Sequence, residues 1–179
     1  MDILMLALRV VHIGAGIFWG GAALMMNYFW GPTVRATGLA GQQFAGHLML
    51  KTKFVNVMTA MATLTILSGA GLFWVASNGL NSAWLKSGMG IGFALGGLFG
   101  LVGYISGAIF GRLNLNLTRL GSQIKGKPTP GQLAEIQSLQ KRVALSARVS
   151  IPCIILSILL MAVARYLFLL NNQVNFTPI

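Results

Sequence analysis

Four long apolar runs constrain this chain more than any other feature of its sequence. A hydrocarbon core of roughly 30 Å is crossed by about 20 helical residues, because each residue of an α-helix adds about 1.5 Å. The apolar runs extend over about residues 3–30, 54–76, 88–111 and 149–170. Each is long enough to cross a bilayer. We therefore predict an all-α polytopic membrane protein in which residues 1–179 form a single domain, a bundle of four transmembrane helices.

The composition supports a membrane location and argues against several classes of soluble protein. Hydrophobic residues make up 55% of the chain and charged residues 8%, whereas soluble domains carry about 25% charged residues. The formal net charge of +11 would also suit a nucleic-acid-binding protein, but such proteins do not bury apolar runs of this length, so no nucleic-acid partner is expected. The single cysteine, Cys153, excludes an intramolecular disulfide.

The distribution of basic residues predicts the orientation of the bundle. Ten of the 13 Lys and Arg residues lie in two loops, residues 31–53 and 112–148. The positive-inside rule places both loops in the cytoplasm and both termini outside. We predict a multi-pass protein of the bacterial inner membrane whose cytoplasmic face contacts anionic lipids. The first run is too long for a signal peptide and no basic residue precedes it, so we expect it to be retained.

The longer basic loop has helical character of its own. Residues 113–124 can extend the third span, and residues 125–131 contain the glycines and prolines of a turn. From about Gln132 apolar residues return at helical spacing and lead into the fourth span. We therefore predict a cytoplasmic helical hairpin over residues 112–148, between the third and fourth transmembrane helices.

Glycines recur along one broad face of the third span, three or four residues apart. A bare helix face of this kind lets another backbone approach closely. Gly16 and Gly20 form a shorter patch on the first span. The pattern indicates either tight helix packing or a flat ring, such as a porphyrin, chlorin or quinone, lying against the backbone. The packing candidates on the third span are Gly92, Gly96, Gly100, Gly103 and Gly107, in a series that begins at Gly88 and ends at Gly111.

His12 is the candidate metal ligand, because it is the only histidine within a span. Ionisable residues inside a membrane are costly and are functional candidates for that reason. Arg9 and Trp19 share its helix face, three residues before it and seven residues after it. The alternative is a neutral imidazole bonded to a neighbouring helix, with Arg9 extending to a lipid phosphate.

Further basic residues are expected at the outer end of the bundle, where Asp2 is the only acid. They are Lys86, before the third span, and Arg165, late in the fourth. Buried arginines need anions, which lipid head groups or the two propionates of haem b would supply. In the haem interpretation, Arg9 and Arg165 bind the propionates, and Lys86 or Met89 is the second axial ligand opposite His12.

Two short segments carry a family resemblance. Residues 8–13 (LRVVHI), followed by residues 18–21 (FWGG), resemble the first helix of small four-helix membrane proteins related to CopD and to HemJ-type protoporphyrinogen oxidase. Residues 83–86 (AWLK) are similar to a W-x-x-K region of the same group. The resemblance implies b-type haem bound at His12 and Lys86, and it is closest to an uncharacterised bacterial branch.

Three functions follow from these observations, and whether the protein is an enzyme stays open. The first is binding of haem b or a similar ring near the outer leaflet, for electron transfer or for redox chemistry on a porphyrin or quinone. The second is that of a cofactor-free accessory subunit, packed by its glycine face into a larger bioenergetic or photosynthetic complex or into a homo-oligomer. The third is copper transport, for which Met58 and Met61 stand three residues apart.

Overall fold

The computed structural model describes residues 3–124 and 126–167, and all regular structure within these ranges is helical. Four helical stretches are long and apolar enough to cross a membrane: Ile3–Ala36, Phe54–Ala76, Gly88–Gln123 and Pro130–Val163. The prediction of an all-α chain with four membrane-length helices is thus confirmed for the described residues. Asp2, Lys125 and the predicted end of the fourth span at residues 168–170 lie outside them.

The first stretch continues past the predicted end at residue 30. Helix α1 (Ile3–Met25) leads into a π-helical turn (Met26–Trp30) and then α2 (Gly31–Ala36). In the π-helical turn the N–H of Gly31 donates to the carbonyl of Met26, five residues back. Pro32 has no N–H, and its ring crowds the carbonyl four residues earlier. We attribute the wider turn to this proline.

Helix α3 (Gly38–Lys51) occupies what the sequence predicted to be a loop. It begins at Gly38, whose φ of +57° reverses the chain direction after α2 and is readily adopted by glycine. The ring of Phe44 lies 5.3 Å from that of Trp30, centroid to centroid. A Cβ at Gly46 would lie 3.7 Å from the Thr118 side chain, so α3 folds back against the far part of the third long helix.

The next two helices are joined by a tight turn. Helix α4 (Phe54–Ala76) ends where Asn78, Gly79 and Leu80 all adopt positive φ. A single helical turn, α5 (Ser82–Leu85), follows, with the Asn81 side chain accepting hydrogen bonds at its start. Helix α6 (Gly88–Gln123) then begins with the Ser87 side chain as its N-cap. These caps satisfy amide groups that a helix start leaves unpaired.

Helices α6 and α7 (Pro130–Val163) form a long antiparallel pair. Helix α6 continues past the predicted span 88–111, whereas α7 begins before the predicted span 149–170 and ends at Val163. Helix α7 starts with a capping box: Thr129 Oγ1 accepts from the Gln132 N–H at 3.3 Å, and Gln132 Oε1 accepts from the Thr129 N–H at 2.9 Å. The chain is therefore helical through most of residues 112–148, on both sides of a short connection.

The glycines of α6 lie against α7. A Cβ on Gly92 would come within 2.9 Å of the Ala164 Cβ, and one on Gly103 within 3.0 Å of Ile154 Cγ1. Serines of α7 donate hydrogen bonds to the exposed backbone: Ser157 Oγ to the Gly96 carbonyl at 2.7 Å and Ser150 Oγ to the Gly103 carbonyl at 3.2 Å. Bare backbone on one helix and small polar side chains on the other allow this close approach.

Candidate functional site

The two ends of the bundle differ in charge, and each candidate site can be located by the end that it lies nearer. The basic end is the one where residues 31–53 and 112–148 lie, and the far end is the one where residues 3, 77–87 and 163 lie. His12 stands toward the far end, where α1 packs along α4.

His12 makes one defined hydrogen bond, to the neighbouring helix. Its Nδ1 lies 2.8 Å from the carbonyl oxygen of Thr65. Because a carbonyl only accepts, Nδ1 carries the hydrogen and donates it, and a neutral ring then keeps its lone pair on Nε2. Metal-bound histidines have the same arrangement, with the second ring nitrogen oriented by a backbone carbonyl.

Gly69 makes room for the His12 ring. A Cβ at Gly69 would lie 2.8 Å from His12 Cε1 and 3.0 Å from Nδ1, so the imidazole rests on bare α4 backbone. Neither Gly69 nor Thr65 was predicted from the sequence as a site residue. A glycine inside an apolar span was the only available signal, and its partner helix could not be known.

The other predicted ligands belong, like His12, to the far end of the bundle. Arg9 and Met89 are half-buried, whereas Lys86 and Arg165 are exposed. Within residues 3–124 and 126–167 no hydrogen bond or ion pair joins any of these four side chains to His12 or to each other. No group of three or more His, Cys, Asp or Glu side chains in those ranges could hold a metal ion.

The two glycines of α1 face different helices. A Cβ at Gly16 would lie 3.5 Å from Thr65 Cγ2 on α4, and one at Gly20 would lie 3.4 Å from Ile158 Cδ1 on α7. On α6, a Cβ at Gly96 would approach Met161, one at Gly100 would approach Ser157 and one at Gly107 would approach Ser150, at 3.0 to 3.3 Å. The glycine face of α6 is thus filled by α7 over these positions.

Trp19 lies in the centre of the bundle, where it packs with Ala62 and Ile154. Its ring meets that of Tyr104 edge to face, with centroids 6.2 Å apart and planes at 77°. The Tyr104 hydroxyl lies 3.0 Å from Thr63 Oγ1. Side chains of α1, α4 and α6 therefore converge at one level of the molecule.

A cavity of about 280 Å³ lies next to this cluster, on the side of the basic end. Its walls come from all four long helices, the π-helical turn and α3, and they are mostly apolar. The lining residues include Trp19, Met26, Asn27, Met49, Phe54, Met58, Thr59, Ala62, Tyr104, Gly107, Gly111, Arg112, Leu115, Ser150, Ile151 and Ile154.

The cavity contains few polar groups, and four of them have an N–H or O–H that can donate a hydrogen bond. Trp19 and Tyr104 form part of its wall, Asn27 lies on the π-helical turn, and the exposed Arg112 lies on α6 toward the basic end. Of these, only Trp19 was a sequence-predicted site residue. Two weak signals were available for the others, a polar Asn27 at the end of an apolar run and a lone Tyr104 among glycines.

Comparison with known proteins adds no relative. No protein-family profile, no curated protein and no solved structure matches this chain. The function must therefore be argued from the cavity and from His12.

Proposed function

We propose that this protein is a membrane protein that binds a small apolar ring compound in the cavity between its four long helices. The cavity itself carries the proposal. Ligand sites are concave and mostly apolar, with a few placed polar groups, and enclose about 300–1,000 Å³. The volume of about 280 Å³ is at the lower end of this range, and the walls combine apolar side chains with Trp19, Asn27 and Tyr104.

The size and lining of the cavity favour one or two fused rings over a tetrapyrrole. A cavity of about 280 Å³ usually encloses a ligand that is smaller than a porphyrin. No histidine is among the described lining residues. The redox role expected from the sequence then corresponds to electron transfer to, or chemistry on, a quinone-sized ring. In this proposal the ring lies toward the basic end of the bundle. The position of His12 in the sequence had instead predicted a ring near the outer leaflet.

The proposed setting is the bacterial inner membrane, with the basic end in the cytoplasm and both termini outside. Four apolar helices of sufficient length support a multi-pass arrangement. The exposed basic side chains Arg112, Arg119, Lys141, Arg142 and Arg148 all belong to the basic end, where anionic lipids of the cytoplasmic leaflet would attract them.

Haem b bound at His12 is a second candidate, favoured by one observation. The Nδ1–H bond to the Thr65 carbonyl leaves Nε2 as the nitrogen that could bind iron. Half-buried Arg9 lies one turn nearer the far end, in a position to pair with a propionate, and Arg165, Lys86 and Met89 would complete the site. The resemblance to CopD and HemJ-type proteins implies the same assignment, in which haem would supply one-electron chemistry. It requires a Soret band in the purified protein that His12→Ala abolishes.

The cavity proposal is tested by filling the cavity from a position that tolerates a side chain. Gly111 lines the cavity, and a Cβ there meets nothing within 4 Å. We expect Gly111→Leu to weaken binding of 2-methylnaphthalene to protein in lipid nanodiscs by about tenfold or more, as measured by equilibrium dialysis against empty nanodiscs.

Gly97 supplies the matched control for this experiment. It lies on the same helix, a Cβ there also meets nothing within 4 Å, and it is not among the cavity-lining residues. Gly97→Leu should leave the affinity unchanged. Absence of saturable binding in the unmodified protein, or equal loss in both variants, would contradict the proposal. Retention of Cu(I) in place of a ring would instead indicate the copper function, because Met26, Met49 and Met58 line the same space.

A further inference from the structure

We infer that the molecule bound in the cavity carries a carbonyl oxygen on its apolar ring, as quinones do, and that the Trp19 indole N–H and the Tyr104 hydroxyl donate hydrogen bonds to it. This inference rests on the proposed function, because it concerns the same cavity and names the chemical class of its ligand.

The first step concerns the indole N–H of Trp19. The side chain is 8% exposed and lies in the core, yet it makes no hydrogen bond within the described residues. Within the described residues, every side-chain nitrogen or oxygen that is fully buried has a hydrogen-bond partner. Because the indole nitrogen has no such partner, it must be at least slightly exposed. Trp19 is one of the residues that line the cavity. A donor left unpaired at such a site costs more free energy than an ordinary hydrogen bond contributes to stability. A ligand with an acceptor is therefore favoured.

The second step concerns the paired hydroxyl groups. The hydroxyl oxygens of Tyr104 and Thr63 lie 3.0 Å apart and share one hydrogen bond, in which either can be the donor. Whichever hydroxyl accepts in this pair keeps its own hydrogen free for another acceptor. Tyr104 lines the cavity and its ring contacts that of Trp19, at a centroid distance of 6.2 Å. When Thr63 is the donor in this pair, the Tyr104 hydroxyl is therefore the second potential donor among the residues that line the cavity.

The charge of the cavity lining favours a neutral ligand. The described lining residues include no Asp or Glu, and the only charged one is Arg112. A cationic ligand would face this arginine without a counter-charge, and an N–H ligand would leave the indole N–H of Trp19 without an acceptor. A neutral ring with an acceptor oxygen matches both the apolar walls and the unpaired donors.

A pair of probes that differ only in their oxygens tests this class. We expect protein in nanodiscs to bind 2-methyl-1,4-naphthoquinone about tenfold more tightly than 2-methylnaphthalene, after subtraction of uptake by empty nanodiscs. Trp19→Phe keeps an aromatic ring and removes the N–H, so it should reduce this preference to about threefold or less. Tyr104→Phe should also lower it. The affinity of each variant for 2-methylnaphthalene, which has no oxygen, shows whether its cavity is intact.

Trp74→Phe is the matched control, because Trp74 is 58% exposed and is not among the lining residues. It should retain the full preference. Equal affinity for the two probes in the unmodified protein, with Gly111→Leu still weakening both, would overturn the inference and leave the proposed function standing. Saturable binding of neither probe would overturn both. A full preference in Trp19→Phe and in Tyr104→Phe would overturn the assignment of the donors.

Discussion

At the scale of single residues, His12 shows how a polar side chain is accommodated between two apolar helices. Its ring rests against α4 at Gly69, where the absent side chain exposes backbone, and its donated hydrogen bond goes to Thr65 of the same helix. An imidazole held in this way has its Nδ1–H paired with a backbone carbonyl. The arrangement joins α1 to α4 whether or not Nε2 binds iron.

Gly69→Ala should disturb this contact. The new Cβ would lie 2.8 Å from His12 Cε1, closer than two carbon atoms can approach, so the ring must move and its bond to Thr65 must lengthen or break. We expect the free energy of unfolding to fall by about 1–2 kcal/mol, the sum of overpacking and a lost hydrogen bond. Titration of the purified protein with denaturing detergent would measure the change.

Gly71→Ala is the control for this substitution, because it lies on the same helix and its Cβ would meet only the Leu8 side chain, at 3.4 Å. It should alter the free energy of unfolding by less than about 0.5 kcal/mol, as a van der Waals contact with a flexible side chain allows. If the two variants were equally stable, His12 would not be held as described.

At the scale of helices, the α6–α7 pair is the most closely packed part of the bundle. Serine hydroxyls of α7 reach backbone carbonyls of α6, which is possible only where the glycines leave the backbone bare. A partner subunit could not use this face while α7 covers it. An accessory-subunit role would therefore have to use another face of the bundle.

Gly103→Ala should weaken this pair. Its Cβ would lie 3.0 Å from Ile154 Cγ1 and 3.5 Å from the Ile154 backbone nitrogen, and Ile154 is 3% exposed, so little can yield. We expect a loss of about 1–3 kcal/mol in the free energy of unfolding. Gly97→Ala, which meets nothing within 4 Å, should be neutral or stabilising by up to about 1 kcal/mol. Equal losses in both would mean that contact with α7 does not determine the effect.

The long helices could be predicted from sequence, but α3 and the π-helical turn could not. A run of about 20 apolar residues indicates a membrane-length helix through its length alone. Helix α3 is short and contains Gly38, Gly41 and Gly46, so neither its length nor its helix propensity reveals it. Its contacts with Trp30 and with α6 depend on the tertiary fold.

At the scale of the whole molecule, the cavity is the feature that sequence reasoning missed. Its walls combine residues 19–27, 49–62, 104–115 and 147–154, which are far apart in sequence and come together only through helix packing. Trp19 was singled out because it shares the helix face of His12, and in the structure it forms part of the cavity wall. The bundle thus has two separate candidate sites, one at each end.

The central claim, a ring compound beside Trp19, is tested most directly by fluorescence from that residue alone. The other three tryptophans, Trp30, Trp74 and Trp84, would be replaced by Phe and the protein titrated with 2-methyl-1,4-naphthoquinone in nanodiscs. We predict saturable quenching of Trp19 emission at one equivalent, weakened about tenfold or more by Gly111→Leu and unchanged by Gly97→Leu. Quenching that rises in proportion to the quinone dissolved in the lipid, equally in all three proteins, would contradict the account.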